Sequence, residues 1–403
     1  MSSFEGYQEV DSYWYDQVPS YWAKTKNKYV FSQNKHVVGE NWEKFTLLTM
    51  GKSGVKPRDM DGGGKFPASF ETYQTVEANQ LIFCLFDLDE TPRTIGMSKD
   101  YGMITSAYDV FSTTEGNDPQ FWTYFYQMID DHKGLRPFYT GLRKVVRSDT
   151  FMGIEVFSPP LEEQKLISHY LDKKTEQIDS LIEKIQKKIE LLKEQRTSLI
   201  NHYVTKGLDP NVEMKDSGVE WIGEIPKHWT IVRLRFLCDI KTGGKDTQDN
   251  VENGSFPFFV RSPNIERINS FSFDGEAVLT SGDGAGVGKI FHYYVGKFDY
   301  HQRVYKFSNF EDIMGKYFYW FLKENFQYEI LRWNAKSTVD SVRLPFLQNF
   351  PMVLPPIEEQ ENLLLKIDSI DDRVEKLIQS LMKKIEILKE YRQSLISSVV
   401  TGK

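Results

Sequence analysis

The chain has 403 residues, of which 40% are hydrophobic and 14% aromatic, and it carries a formal net charge of −7. That length suits two or three packed domains, and the composition excludes a globally disordered chain. The acidic balance argues against strong sequence-independent nucleic-acid binding, which needs net cations delivered to phosphates; local basic patches, or a partner that supplies charge, stay possible. Cys84 and Cys238 have neither CxxC spacing nor a histidine partner, so free thiols in a reducing compartment and no metal site are expected. No run of about 18 apolar residues occurs, and the acidic, aromatic start lacks a basic-then-apolar leader pattern. A cytoplasmic protein with no membrane partner is therefore expected.

In chain order, the first stretch opens with Trp14, Pro19 and Trp22. Gly51 to Lys65 is glycine-rich and basic and reads as an exposed loop. Gln80 to Phe86 carries a strand signal, and Phe121, Tyr124, Phe125, Met128 and Ile129 are spaced for a helix over 119–132. Pro159-Pro160-Leu161-Glu162-Glu163-Gln164 then starts a long helix: proline is tolerated at the first helical position, and carboxylates favour the positive helix N-terminus. Residues 206–220 read as a linker. Trp221, Pro226 and Trp229 repeat the opening with the same spacings. Strand signals follow at Ala277–Thr280 and Lys289–Val295, and a helix is expected over 312–331. The fold class is thus α+β, with two mixed domains each followed by a long helix. The segments are 1–158, 159–206, 207–354 and 355–403.

The dominant feature is an internal repeat. Pro355-Pro356-Ile357-Glu358-Glu359-Gln360 restates the first helix start 196 residues later, and the match runs without a gap from 159–206 to 355–402. Both helices keep a 3-4 apolar spacing that argues coiled coil. One seam holds Leu171, Ile178, Ile185 and Leu192 with Ile182 and Ile189; the other holds Ile367, Val374, Leu381 and Leu388 with Ile378 and Ile385. Mutual antiparallel pairing is expected, with the two domains related by pseudo-twofold symmetry. Thr175 and Asp371, and Arg196 and Arg392, are polar at equivalent seam positions. The arginines either snorkel at a seam end, or lock register or contact a partner.

Chemistry is absent where it is most tempting. In Gly282-Asp283-Gly284-Ala285-Gly286-Val287-Gly288-Lys289 a phosphate loop would need Gly at 283 and Ser or Thr at 290, where Asp283 and Ile290 stand. A glycine turn between strands is expected instead. The Pro-Pro pairs lack the preceding Asn or Asp and following aromatic of an amino-methyltransferase motif. No nuclease carboxylate cluster or histidine-rich metal site stands out, so catalysis by this chain and a cofactor of its own are not expected.

The paired helix starts, Ile225-Pro226-Lys227-His228-Trp229 with Val232-Arg233-Leu234, and Gly286 to Lys289 followed by Gly296 to Tyr305 are similar to specificity subunits of type I restriction-modification systems. Thr105 to Tyr108 resembles the matching segment in the first domain. The resemblance implies two target recognition domains (1–158 and 207–354) that read the halves of a bipartite double-stranded DNA site. It implies that the central helix (159–206) and the C-terminal helix (355–403) act as spacer and as dock for two modification subunits, with two motor-nuclease restriction subunits joining them. S-adenosylmethionine, ATP and Mg would belong to those partners. On that reading the candidate DNA contacts are Lys52, Lys56, Arg58, Lys65 and Tyr108 in the first domain, and Lys245, Arg261, Ser262, Lys289, Gln302, Arg303 and Lys336 in the second. An alternative reading places His301, Gln302 and Arg303 in the scaffold and Tyr108 in the core. The alternative is a coiled-coil scaffold that reads no DNA, which gives no reason for glycine-rich basic loops in both domains.

Overall fold

The computed structural model describes residues 6–51, 54–59, 67, 69–334 and 341–403. It contains two compact units, Met1–Ile185 with Lys383–Lys403, and Gln186–Met382. Each holds one mixed domain and one end of each long helix.

In the first unit a four-stranded antiparallel sheet runs in the order Phe31–Asn34, Asp109–Thr113, Leu81–Phe83, Ile95–Met97. The helix Pro119–Asp131 begins with proline at its first turn, and the Asp118 side chain accepts from Phe121 N, satisfying one of the orphan donors of a helix start. Its 3-4 apolar spacing buries Phe121, Trp122, Phe125 and Ile129 against Phe31, Phe83 and Phe111. The same core takes in Leu171 of the helix Leu161–Lys206 and Ile396 and Val400 of the helix Ile357–Val400.

In the second unit the sheet has six strands, in the order Asp239–Thr242, Val304–Ser308, Phe273–Ser281, Phe291–Tyr300, Phe256–Phe259, Glu266–Ile268. Its neighbours are antiparallel except for the parallel pair Phe256–Phe259 and Phe291–Tyr300. The helix Gly315–Asn334 buries Tyr317, Phe318, Phe321 and Phe326 in a core completed by Ile200, Val204, Leu363, Leu364 and Ile367. Each core thus joins the start of one long helix to the end of the other, and the two helices run antiparallel.

The repeat reaches further back than the residues reveal. The helices Pro119–Asp131 and Gly315–Asn334, the short helices Ser148–Gly153 and Leu344–Asn349, and the strands Glu155–Ser158 and Pro351–Leu354 all begin 196 residues apart. Those two strands pair antiparallel with Ala23–Lys26 and Thr230–Arg233 respectively.

The repeated Glu-Glu-Gln is the joint between domain and helix. Gln164 and Gln360 are fully buried. Gln164 Nε2 donates to Pro159 O (2.9 Å) and its Oε1 accepts from Asp118 N (2.8 Å). Gln360 repeats this with Pro355 O (2.9 Å) and Met314 N (2.8 Å). One residue earlier, Glu163 accepts from the Tyr21 hydroxyl and Glu359 from the Trp229 indole N–H, each at 2.8 Å. Gly207 and Gly402, at φ +82° and +77°, turn the chain out of each helix. Each lies against a Pro-x-x-Trp opening: Gly207 against Pro226 and Trp229, Gly402 against Pro19 and Trp22.

Along the seams Leu171, Ile178, Ile185, Ile189, Ile367, Ile378 and Ile385 are buried, and Ile182, Leu192, Val374, Leu381 and Leu388 half-buried. Arg196 and Arg392 do not simply snorkel. Arg196 pairs with Asp371 (3.0 Å) and Glu375 (3.9 Å), and Arg392 pairs with Asp179 (3.1 Å). Asp179 and Glu375 are repeat equivalents, so the same bond is made twice. These half-buried pairs, each with a fixed partner on the other helix, suit fixing register. The 206–220 stretch is also more than a linker: Met214–Asp216 forms a strand with Glu224–Pro226, and Lys206 Nζ donates to Ile222 O and Glu224 O. Among the described residues no helix is long and apolar enough to cross a membrane.

Replacing Gln360 with Ala strands the Met314 N–H and the Pro355 carbonyl in the joint. Leaving such buried groups unpaired costs about 1–3 kcal/mol, and about 2–4 °C of melting temperature follows per kcal/mol in a domain of this size. Gln360→Ala and Gln164→Ala should both lower the thermal midpoint, while the exposed Gln379→Ala should not; scanning fluorimetry checks this.

Candidate DNA interface

In the first domain the described part of the glycine-rich stretch is a strand rather than a loop. Gly54–Pro57 pairs with Leu48–Gly51, which sets Lys56 opposite Thr49 with its side chain exposed. Arg58 follows, exposed, its backbone N–H donating to Leu47 O at 2.8 Å. Lys52 and Lys65 lie outside the described residues, as does Lys336 of the second domain. Tyr108 is half-buried. Its ring stacks on Phe86, with centroids 6.1 Å apart, and packs on a small cluster that includes Val76, Ile82 and Val110. Burial raises its hydroxyl pKa. Tyr108 thus contributes to the domain wall, with part of its side chain still open to water.

The second domain brings its candidates together. Gly243 follows the edge strand Asp239–Thr242 and passes so close to the neighbouring chain that a Cβ there would sit 1.9 Å from Tyr300 O. This close approach sets Lys245 beside His301 in a parallel bridge, with Gln302 N donating to Lys245 O at 2.8 Å. His301 N donates to Phe259 O at 2.9 Å, which aligns 259–261 with 300–303. The buried His301 ring accepts from Arg303 N through Nδ1 at 3.0 Å. Burial lowers its pKa, opposed by the charge of Asp246, so the neutral ring is favoured and Nδ1 keeps its lone pair for that bond. His301 is scaffold: it fixes the turn that projects Gln302 and Arg303.

Both of those side chains are exposed. Gln302 Nε2 donates to Asp246 (2.6 Å). Arg303 and Arg261 converge on one carboxylate, that of Asp283, at 2.8 and 3.0 Å. Ser262, next to Arg261, accepts from Asn264 N through its hydroxyl (3.1 Å) and from the His292 ring through its carbonyl (3.3 Å). Lys289 is exposed at the end of the glycine run. That run joins Phe273–Ser281 to Phe291–Tyr300 through a one-turn 3-10 helix at Gly284–Gly286. The site therefore offers Lys245, Arg261, Lys289 and Arg303 as cations and Gln302 as an amide, ordered by two carboxylates, Asp246 and Asp283. Sequence reasoning missed both carboxylates. The visible signal was an acid set between glycines in Gly282-Asp283-Gly284. Among the described residues no group of His, Cys, Asp and Glu could hold a metal ion.

This surface lies within a segment that is similar to known proteins. Residues 226–387 match the family described as type I restriction modification DNA specificity domain. That match covers most of the second domain and part of the C-terminal helix. The chain is 31% identical over 180 residues to the EcoDI specificity subunit of Escherichia coli, covering 45% of this chain and 39% of that protein. It is 29% identical over 277 residues to the MjaVIII specificity subunit of Methanocaldococcus jannaschii, covering 63% of each. The chain thus spans less than two thirds of the length of these relatives. Two solved structures share the fold at 15% identity. One is a chain from a type I R-M system studied for complex assembly and conformational transition, with TM-score 0.72, covering 96% of this chain and 99% of that one. The other is the HsdS subunit of Thermoanaerobacter tengcongensis, with TM-score 0.53, covering 96% and 98%. The specificity-domain match contains the whole Arg261, Gln302 and Arg303 array.

Overpacking at a site without room costs about 1–3 kcal/mol. Gly243→Ala should lower the thermal midpoint, whereas Gly244→Ala, which meets nothing within 4 Å, should leave it unchanged.

Proposed function

We propose that this chain is the DNA specificity subunit of a type I restriction-modification complex, and that it reads a bipartite double-stranded site with one domain per half. The observation that carries the reading is the exposed Arg261, Gln302 and Arg303 array inside the matched specificity domain. Arginine on guanine and glutamine on adenine are the bidentate pairings by which side chains read base edges in the major groove. The chain's net charge of −7 is compatible with this role if partner subunits close around the DNA and share phosphate contacts. On this reading the long helices dock two modification subunits, which bind S-adenosylmethionine and methylate adenine at N6. Two restriction subunits use ATP and Mg for translocation and cleavage. This chain chooses the site and performs none of that chemistry.

The reading is tested by purifying this chain with its modification subunit and selecting bound duplexes from a random pool. Enrichment of two fixed words separated by a fixed gap is expected; enrichment of no sequence from a folded complex would refute it. On the selected duplex, Arg261→Ala should cost about 1–3 kcal/mol while binding to unrelated duplex changes little. Equal weakening on both would remove Arg261 from base reading.

A further inference from the structure

The glycine run Gly282–Gly288 is not a phosphate loop, and a plain turn leaves its acid, Asp283, without a purpose. Asp283 is the common partner of Arg261 and Arg303: Oδ1 accepts from Arg261 Nη1 at 3.0 Å and Oδ2 from Arg303 Nη1 at 2.8 Å. The carboxylate side chain is 20% exposed, against 40% and 56% for the two arginines. The acid thus lies beneath two guanidinium groups that face water.

The glycines make this placement possible. A Cβ on Gly282 would sit 3.0 Å from Arg303 O and 2.8 Å from the Tyr305 ring. One on Gly286 would sit 3.2 Å from Arg261 O and 2.6 Å from Ile290. Gly284 takes φ +70° with Arg261 Nη1 3.7 Å away, a conformation that other residues adopt at a cost. The segment therefore threads between the backbones of Arg261 and Arg303. It is pinned from the other side by Val342 N, which donates to Gly282 O at 2.7 Å, and by a bridge between Asp283 and Ser341.

We infer that Asp283 is a positioning residue for DNA reading, an internal anion that holds Arg261 and Arg303 in a fixed fork and cancels one of their two charges. The inference rests on the DNA-reading function proposed above. A guanidinium carries five N–H donors in a rigid plane, so one bond to Asp283 orients the group and leaves donors for a base edge or phosphate. An arginine already ordered by the fold loses less entropy on binding. Cancelling one charge weakens the sequence-independent pull on phosphates, so a larger share of the affinity depends on correct geometry. Direct reading of a base by Asp283 is disfavoured, because both of its oxygens are engaged and it is the least exposed of the three.

The test uses the complex of this chain with its modification subunit, the selected duplex and a random-sequence duplex of equal length, titrated across a range of salt. Asp283→Asn keeps the shape and removes the charge. It should tighten binding to the random duplex at low salt and steepen the slope of log affinity against log salt by about 0.9, the value of one added phosphate contact. It should also lower the selected-to-random ratio by roughly tenfold, the discrimination of about one well-held bidentate contact. Asp283→Glu keeps the charge but displaces the carboxylate, so its slope should match wild type while the ratio falls. An unchanged slope and ratio in a folded Asp283→Asn complex overturns the inference, as does an equal loss on both duplexes. Should Asp283→Asn fail to fold, Asp283→Glu decides: an unchanged ratio overturns the inference and a lowered one upholds it. A wild-type complex that prefers no sequence would instead defeat the DNA-reading function, and this inference with it.

Discussion

A side-chain amide buried at the first turn of a long helix is the constraint on which the rest of the structure depends. Each long helix starts just after the strand that ends its domain, and the chain between them leaves backbone groups to be paired. Gln164 and Gln360 tie the two together, donating to the proline carbonyl behind the long helix and accepting the backbone N–H of Asp118 or Met314 from the domain. Glu163 and Glu359 add a charge-assisted bond to the aromatic opening of the same domain. Because the amide is buried, it cannot exchange these partners for water, so these hydrogen bonds hold the domain on the helix start. The glycine that ends the other long helix seats against the same opening. Each domain is therefore held by one helix start and one helix end, with the same residue types in both units.

This division of labour lets the domain surfaces diverge. The joint residues and seam positions are fixed by packing and hydrogen bonding, while Arg261, Gln302 and Arg303 stand on turns that the scaffold positions but does not chemically restrict. His301 illustrates the boundary. It is buried, which lowers its pKa, and its Nδ1 is engaged by the backbone of Arg303, so it serves the two side chains that follow it. Gly243 serves the same end by removing a Cβ so that two strand ends can touch.

The helices were legible in the sequence because their constraint is periodic: Leu171, Ile178 and Ile185 recur at heptad spacing and are buried. The continuation of the repeat through the helices Pro119–Asp131 and Gly315–Asn334 was not legible. Equivalent positions mostly keep bulk and aromaticity without keeping identity, as in Phe121 and Tyr317 or Trp122 and Phe318, and elsewhere Met128 stands against Glu324. The arginine seam was read two ways, since spacing alone does not show that Asp179 and Glu375 lie across from Arg392 and Arg196. The candidate site was the least legible part. Arg261, Asp283 and Arg303 come together through sheet pairing between strands distant in sequence, and no local pattern encodes such contacts. Tyr108 was open to a contact or a core reading, and its stacking on Phe86 is a contact that sequence spacing does not reveal.

The central claim is that two joined domains select a two-part DNA site for a methylating partner. Single-molecule methylome sequencing of cells that express this chain with its modification subunit, against cells that lack only this chain, tests it most directly. The expected result is a new split motif carrying N6-methyladenine in each half. A soluble, assembled complex that leaves no new motif would contradict the claim and favour a scaffold that reads no DNA.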